Sequence, residues 1–361
     1  MSNSARLSGL RSKIYGNELD GILISNPENR RYLSGFTGSA GYLIISRHDA
    51  VLATDFRYVE QANSQTDFRI EKMTSDSNWF TKTISNESIG RLGFESDDIT
   101  VSILSSFEKE IEKMDSSKRP TLVPTSGIVN RLRAVKDKDE LDLVKKAVEI
   151  SDRAFDTIEP DICAGKTEKQ VAWELEKAMR EFGADAISFD IIVGSGPNGA
   201  RPHHRAGNRQ IKEGDPIVID MGANYEGYCS DLSRTIFVGE PDDKFRFVYS
   251  TVLKAQLFAE ENVKVGMTGE QVDHLARKII DDSGNAENFG HSLGHGIGLA
   301  VHEFPTVGPR GNDQIEDGMI FTIEPGIYLS GWGGVRIEDM VIMENGSARI
   351  LSKANKLEIH T

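Results

Sequence analysis

Two acidic residues near the middle of the second half of the chain have the spacing of partners in a metal site. Asp220 ends an apolar run, and Asp231 follows after the turn-like segment 223–227. An antiparallel hairpin centred between Tyr225 and Glu226 would place the two acids directly opposite each other. Because the Cβ atoms of directly opposed residues are about 5 Å apart, the two carboxylates could share a cation.

A second acidic pair, nearer the C-terminus, repeats this form. Glu324 and Glu338 lie at equal distances from Gly331, which stands in a glycine-rich turn segment. Strand alternation puts Arg336 on the face of Glu338, where its guanidinium could orient a carboxylate without binding the metal itself. A single acid is usually a solvated surface group, but four unpaired acids on apolar strands would be too unfavourable. The spacing therefore predicts that all four acids face one site.

Histidines supply the neutral ligand that such a site needs. Of the 8 histidines in the chain, His291, His295 and His302 stand in one glycine-rich segment, and His203 and His204 form a second cluster. Flanking glycines allow close approach to a ligand. Four carboxylates and one imidazole form an oxygen-rich donor set that suits two divalent ions such as Mn²⁺, with Co²⁺, Fe²⁺ and Zn²⁺ as competitors.

Two partial motifs point to other chemistries but are broken by the residues around them. Segment 302–306 begins like the zinc motif HExxH but ends in threonine. Segment 194–199 fits GxGxxG, yet Arg-Pro-His-His at 201–204 follows where a dinucleotide-binding helix would begin. We expect these glycines to shape a loop that presents His203.

The elements that position these residues are predicted to occur twice. Segments 165–171 and 266–272 align at an offset of 101, and each contains a Thr-x-x-Gln capping box that opens a helix. Strand segments 214–222 and 318–326 align at an offset of 104, with an acid of one pair matching an acid of the other. Chance could produce such matches, but their order favours duplication. We infer two α/β halves related by pseudo-symmetry, whose equivalent strands face one cleft.

A smaller α/β module is predicted to precede these halves. Short β-rich runs at 21–24 and 42–45 alternate with polar and helical segments. The prolines and glycine of 120–130 predict a break in regular structure. Beyond it, Asp137 with Glu140 opens an amphipathic helix whose apolar stripe is Leu141, Val144, Val148 and Phe155, with Ser151 on the same face. We predict an N-terminal domain over residues 1–130 and a catalytic domain over residues 131–361.

Composition restricts the partners and the compartment. The 42 lysines and arginines against 56 acids give a net charge of −14, which disfavours binding to nucleic acid or to anionic lipid. Cys163 and Cys229 do not form a disulfide or zinc pattern. No apolar run approaches the length of a membrane span, and the N-terminus lacks the apolar stretch of a signal peptide. We expect a cytoplasmic protein.

Together these residues resemble the metal-dependent pita-bread peptidases, which comprise aminopeptidase P, prolidase, methionine aminopeptidase and the metal-free creatinase. The resemblance covers essentially the whole chain and includes GHGIG at 294–298, VRIED at 335–339, RYLSGFTGSAG at 31–41 and TDFRY at 54–58. It implies a pita-bread catalytic domain behind a smaller creatinase/prolidase-like domain. The N-terminal motifs look most like those of aminopeptidase P and its relatives.

The resemblance also implies a dinuclear metal centre. The family's five metal positions match Asp220, Asp231, His295, Glu324 and Glu338. In the family pattern Asp231 and Glu338 would bridge two metal ions that hold a hydroxide nucleophile, and Glu324 would carry a proton to the leaving amine.

Further site residues follow from the same resemblance. His302 is similar to the residue that stabilises the tetrahedral intermediate, and His203 and His291 are similar to residues that contact substrate around the scissile bond. Arg336 matches an arginine that supports a metal ligand, and Tyr328 looks like a tyrosine that lines the site. His204 has no clear counterpart.

These features predict an Xaa-Pro aminopeptidase, an enzyme that removes an N-terminal residue preceding proline. Prolidases often carry arginine directly after the His-Glu-x-Pro stretch to grip the free carboxylate of a dipeptide, whereas this chain has Thr306 there. The alternative is an Xaa-Pro dipeptidase, or prolidase, because Arg310 could reach a dipeptide terminus from the same loop. A metal-free creatinase-like hydrolase and a non-enzymatic peptide-binding relative are remote alternatives. Family members are commonly homodimers, so we expect a homodimer.

Overall fold

The computed structural model describes residues 3–74 and 78–358. The chain divides into two units, residues 1–133 and 134–361. Met1 and Ser2, which belong to the N-terminus examined for a signal peptide, lie outside the described ranges. No helix in those ranges is both long enough and apolar enough to cross a membrane.

The first unit is a mixed sheet covered by helices, as the sequence predicted. Its elements are α1 (Asn3–Gly16), β1 (Gly21–Ile24), α2 (Pro27–Ser34), β2 (Tyr42–Ser46), β3 (Ala50–Thr54), α3 (Val59–Gln65), β4 (Arg69–Lys72), α4 (Asn78–Asn86), β5 (Arg91–Glu95), α5 (Val101–Glu112), β6 (Thr121–Thr125) and α6 (Ile128–Ala134). Its sheet has the strand order β4-β3-β2-β1-β5-β6, and the pairs β3/β4, β1/β5 and β5/β6 are parallel.

The predicted break at 120–130 is wrong for most of its length, because β6 and the start of α6 lie within it. Residues Thr121–Thr125 form β6, which pairs with β5 along its whole length at the edge of the sheet. Pro124 lies in this strand, and an edge strand tolerates proline because the missing N–H can fall on the unpaired side. The proline therefore marks an edge and not the end of regular structure.

The second unit contains four long helices and several small sheets. Its elements are α7 (Lys138–Ile158), α8 (Glu168–Glu181), β7 (Ala186–Ile187), β8 (Ile192–Ser195), β9 (Pro216–Met221), β10 (Ala223–Tyr225), β11 (Tyr228–Cys229), β12 (Leu232–Phe237), α9 (Asp243–Asn262), α10 (Gly269–Asp282), β13 (Gly294–Gly296), β14 (Glu303–Val307), β15 (Ile320–Ile323), β16 (Gly326–Leu329), β17 (Gly333–Arg336), β18 (Asp339–Glu344) and β19 (Ser347–Ile350). Its sheets have the strand orders β11-β10-β7, β12-β9-β8, β14-β13-β15-β18-β19 and β16-β17.

The predicted duplication is present in this unit. Helices α8 and α10 are each 14 residues long, and both begin at the predicted capping boxes of Thr167 and Thr268. Each long helix that precedes them also starts at an aspartate N-cap, Asp137 for α7 and Asp242 for α9. The two halves therefore share helix lengths and start signals as well as sequence.

The start of each repeated helix is bonded to a distant loop in the same way. In α8 the backbone N–H groups of Glu168 and Lys169 donate to carbonyl oxygens in the segment 207–209. In α10 the N–H groups of Gly269 and Glu270 donate to carbonyl oxygens in the segment 311–313. First-turn N–H groups have no partner within their own helix, so these loops satisfy them.

The apolar stripe predicted for α7 packs into two cores. Val144 and Val148 are buried beside β15 and β18, while Phe155 is buried beside α8 and β9. Ser151 lies between them, and its hydroxyl is 2.6 Å from that of Ser230. Leu141, at the start of the stripe, is only partly buried. Thus α7 supports the strands that carry the predicted acids.

Candidate metal centre

The hairpin that carries Asp220 turns one position later than predicted. Its two loop residues, Glu226 and Gly227, have φ values of 45° and 80°, as a two-residue type I′ turn requires. The predicted centre would have placed Tyr225 in such a position, which is unfavourable for a bulky side chain. Tyr225 instead pairs with Tyr228 on the opposite strand. The predicted register of this hairpin is therefore wrong.

As a consequence, Asp220 lies opposite Ser233 and not opposite Asp231. Asp231 lies in a break between β11 and β12, across from a matching break at Gly222. A Cβ atom on Gly222 would overlap the carbonyl oxygen of Ser230, so the backbones of the two hairpin arms approach unusually closely there. Asp231 is buried, and the negative charge of Asp220 still contributes to raising its pKa.

The second hairpin has the predicted register. Ile323 pairs with Asp339, and farther along the same hairpin Gly326 pairs with Arg336. Glu324, which lies between these pairs on one arm, is therefore level with position 338 on the other. The centre of the turn is Gly331, with a φ of 78°.

Three of the predicted ligands form a group that could hold a metal ion. One donor atom each from Asp231, His295 and Glu338 lies within 4.8 Å of the others. The Nε2 of His295 is 3.6 Å from Asp231 Oδ2 and 3.4 Å from Glu324 Oε1. Its Nδ1 lies 3.1 Å from the carbonyl oxygen of Gly296, which leaves Nε2 directed at the acids.

The acids strongly perturb one another. Burial, followed by the charges of neighbouring carboxylates, raises the pKa of Asp231 and of Glu338 well above the usual range. Burial also raises the pKa of Glu324 to about 8, although Arg336 opposes the shift. Asp220 Oδ1 is buried and has no hydrogen-bond partner among the residues that the structure describes. Unpartnered oxygens and mutually repelling carboxylates are the environment that a divalent cation stabilises, so these residues fit a metal centre.

Arg336 orients Asp220 and not Glu338, the acid on whose face strand alternation placed it. Its Nη2 donates to Asp220 Oδ2 at 2.6 Å, and its Nε donates to Ser233 Oγ at 2.8 Å. The arginine of the second hairpin thus fixes an acid of the first. Strand alternation gave the correct face, but the partner depends on how the two hairpins pack against each other.

Tyr328 connects Arg336 to a site histidine. Its hydroxyl lies 2.8 Å from Arg336 Nη1 and 2.9 Å from His291 Nε2. The other ring nitrogen of His291 is 2.8 Å from the carbonyl oxygen of Ser292. Burial lowers the pKa of His291 to about 4, so its ring is neutral. Both nitrogens of His291 are therefore engaged by the protein, which fixes the orientation of the ring.

The predicted metal ligands line a cavity of about 670 Å³. Among the described residues, its wall includes the five predicted ligands, Arg336 and the histidines His203, His291 and His302, but not Tyr328 or Arg310. The ring of His302 lies edge-on to that of His295, with centroids 4.3 Å apart. His302 is exposed to solvent.

A buried glutamate that the sequence analysis missed holds the loop carrying His203. Glu168 follows the N-cap of α8 and accepts hydrogen bonds from Ser195, Asn198, His204 and Gly207 at 2.7–3.0 Å. Burial raises its pKa, but these bonds outweigh that effect and lower it. His204 is thus a structural residue of the loop. The only sequence signal was the run of glycines at 194–199.

Glu303, which completes the false start of a zinc motif, is also structural. It forms an ion pair of 2.8 Å with Lys136, and both side chains are almost fully buried. The pair anchors the strand that follows His302. Cavity residues such as Asp190, Arg205 and Val301 were missed as well, because they belong to no motif.

Two family models match the chain. The model of metallopeptidase family M24 matches residues 142–345, and that of the creatinase/prolidase N-terminal domain matches residues 6–135. Among curated relatives, the uncharacterized peptidase YqhT of Bacillus subtilis (strain 168) is 42% identical over 98% of this chain and 99% of its own. The Xaa-Pro dipeptidase of Pyrococcus horikoshii is 38% identical over 94% of this chain and 95% of its own.

Solved structures are also similar over nearly the whole chain. The Xaa-Pro dipeptidase from Bacillus anthracis has a TM-score of 0.94 and 42% identity, with 99% of each chain covered. The X-Pro aminopeptidase from Thermotoga maritima MSB8 has a TM-score of 0.88 and 38% identity, with 97% of this chain and 98% of its own covered.

Proposed function

The chain belongs to metallopeptidase family M24, with a creatinase/prolidase N-terminal domain, and from this premise we propose that it is an Xaa-Pro dipeptidase. Its reaction would be hydrolysis of the peptide bond between a first residue and a following proline. The observation that carries the proposal is the cluster of Asp231, His295 and Glu338 in a cavity of peptide size, within a chain that matches named dipeptidases over almost its full length.

We propose dipeptidase activity in place of the aminopeptidase activity that the sequence analysis favoured. Xaa-Pro dipeptidases are the named relatives at 38% and 36% identity, so the alternative reading of the sequence has better support than the main one. Aminopeptidase activity is retained as the second candidate because the Thermotoga maritima structure carries that name and this chain has Thr306 in place of the prolidase arginine.

The proposed metal centre takes two divalent ions, with Mn²⁺ as our choice. Five residues would hold them: Asp220, Asp231, His295, Glu324 and Glu338. When bound, such ions polarise a carbonyl group and bring the pKa of water towards neutrality. The whole centre would lie in the proposed catalytic domain, residues 131–361.

The side chains around the centre would hold the peptide and move protons. Glu324, whose carboxyl group is buried beside His295, would carry a proton to the leaving proline nitrogen. His302 and His203 line the cavity and would donate hydrogen bonds to the oxygen of the scissile carbonyl and to the peptide. His291, held by Tyr328, would pack against the substrate with its ring, since both nitrogens are engaged.

The homodimer and the cytoplasmic location expected from the resemblance stay predictions. Analytical ultracentrifugation of the full chain would test the first, and fractionation of cells that express it would test the second.

Hydrolysis of an Xaa-Pro dipeptide and of the matching Xaa-Pro-Yaa tripeptide, after chelation and after Mn²⁺ addition, tests the proposal. We expect metal-restored cleavage of the dipeptide and little cleavage of the tripeptide. The reverse preference would establish the aminopeptidase. Binding of Mn²⁺ without cleavage of either peptide would favour a non-enzymatic role, and cleavage of neither with activity on a non-peptide C–N bond would favour the creatinase-like alternative.

A further inference from the structure

A dipeptidase must recognise a free carboxylate close to the scissile bond. A carboxylate is recognised best by a planar guanidinium, which can donate two parallel hydrogen bonds to it. At the position where prolidases often carry an arginine, this chain has the neutral Thr306. Arg310, on the same loop, is exposed and does not belong to the described cavity wall.

Two arginines do line the cavity, Arg205 and Arg336. Arg336 is fully engaged by Asp220, Ser233 and Tyr328. Arg205 is exposed, and its guanidinium has no hydrogen bond or ion pair with any other residue in the described part of the chain. It is therefore the arginine of the wall that is available to a ligand.

Arg205 stands where the cavity adjoins a second space. It lines both the main cavity and an adjoining groove of about 310 Å³ formed by Trp173, Lys169 and their neighbours on α8. Asp190 lines both spaces as well, so the junction between the cavity and the groove carries one acidic and one basic side chain. A carboxylate held by Arg205 would end the substrate at this junction, before the groove.

The backbone around Arg205 is held in place. His204, directly before it, and Gly207, two positions after it, are both hydrogen-bonded to the buried Glu168 at 2.9 and 3.0 Å. A side chain on a fixed loop loses less conformational freedom on binding than one on a mobile loop. We propose, on the premise of the dipeptidase function above, that Arg205 binds the C-terminal carboxylate of the substrate and thereby sets its length.

The test compares an Xaa-Pro dipeptide with its C-terminal amide and with the Xaa-Pro-Yaa tripeptide, using Mn²⁺-loaded full-length protein. For the unmodified protein we expect kcat/KM to be about 10- to 100-fold higher for the free acid than for the amide, mainly through KM. In Arg205→Met this preference should fall to within about threefold, because the free acid loses the guanidinium that distinguishes it from the amide. Arg205→Lys should restore part of the preference.

Two further variants locate the effect. Arg201→Met removes the same charge from an exposed position on the same segment, outside the cavity wall, and should keep the full preference. Arg310→Met tests the competing arginine. A preference that survives in Arg205→Met, or one that is lost only in Arg310→Met, would overturn the role of Arg205 while leaving the dipeptidase function intact. Absence of turnover on all three substrates by the unmodified protein would overturn both.

Discussion

The two hairpins that bring acids into the cleft achieve this in different ways. The second keeps one register on both sides of Glu324, so Glu324 and Glu338 meet as opposite residues. The first also keeps one register across its break, but it pairs Asp220 with Ser233 and places Asp231 across from Gly222. Equivalent chemistry therefore does not require equivalent pairing, provided that the backbone delivers the donor atoms to one point.

What the hairpins share is a glycine two positions after the acid. Gly222 follows Asp220, and Gly326 follows Glu324. A Cβ atom would meet different neighbours at the two sites. At Gly222 it would overlap a backbone carbonyl oxygen, whereas at Gly326 it would lie 2.6 Å from the hydroxyl oxygen of Tyr328. The first hairpin is thus constrained by the main chain and the second by a side chain that belongs to the site.

The largest effect is expected from removing one ligand charge from each hairpin. Asp231→Asn and Glu338→Gln should each lower kcat/KM by about 10³-fold or more, because each removes a donor from the same three-residue group. Metal content after dialysis and peptide turnover measure the outcome. Glu226→Gln, which removes an exposed acid at the tip of the first hairpin, is the matched control. Full turnover by either ligand variant would show that its hairpin does not contribute to the centre.

A second test uses pH and the metal-free protein. Burial raises the pKa of Glu324 from 4.5 in the unfolded chain to about 8 in the folded protein. In the pH window between these two values, the folded state therefore binds more protons than the unfolded chain. The stability of chelated protein should therefore fall by about 2–4 kcal/mol as pH rises through the window, and should level off above it. Thermal unfolding across the pH range measures this trend.

Metal loading should remove that trend, because the ion replaces protons as the partner of the carboxylates. Glu338→Gln and Asp231→Asn should each flatten the pH dependence of the chelated protein. If only one of these two variants flattens the pH dependence, the repulsion between carboxylates does not involve both hairpins. A chelated protein whose stability rises with pH over this window would contradict the raised pKa.

The smallest effects come from the glycines. Gly222→Ala should destabilise the protein by about 2–3 kcal/mol, since a backbone oxygen must move. Gly326→Ala should cost about 1 kcal/mol in stability but should lower activity, because Tyr328 would lose its contacts with His291 and Arg336. Urea unfolding and kcat/KM separate the two outcomes.

Gly331→Ala is the control for backbone conformation alone. Its Cβ would meet no atom within 4 Å, yet its φ of 78° disfavours alanine by about 1 kcal/mol. If Gly222→Ala were no more destabilising than Gly331→Ala, the close approach in the first hairpin would carry no energetic weight.

Features governed by local chemistry could be predicted from the sequence. The capping boxes at Thr167 and Thr268 and the register around Gly331 were predicted correctly, because short-range hydrogen bonds and turn symmetry determine them. The first hairpin was misplaced because the turn is decided by which residues accept positive φ, and Gly227 is better suited than Tyr225.

Features that depend on distant contacts could not be predicted. Glu168 binds a loop 27 to 39 residues away, and no spacing rule connects them. Arg336 was placed on the face of Glu338, but the carboxylate that it binds, that of Asp220, lies 116 residues earlier and could not be identified. Arg205 belongs to no motif. The predicted division at residue 130 and the roles of the individual site residues stay predictions.

The bonds between the repeated helices and their loops also affect how the protein opens. Helix ends usually fray, because their first N–H groups are bonded only to water. Here those of α8 and α10 are bonded to segments 207–209 and 311–313, which continue the loops of the cleft. If either loop detached, these N–H groups would lose their carbonyl partners, so each helix start and its loop stabilise each other against local unfolding.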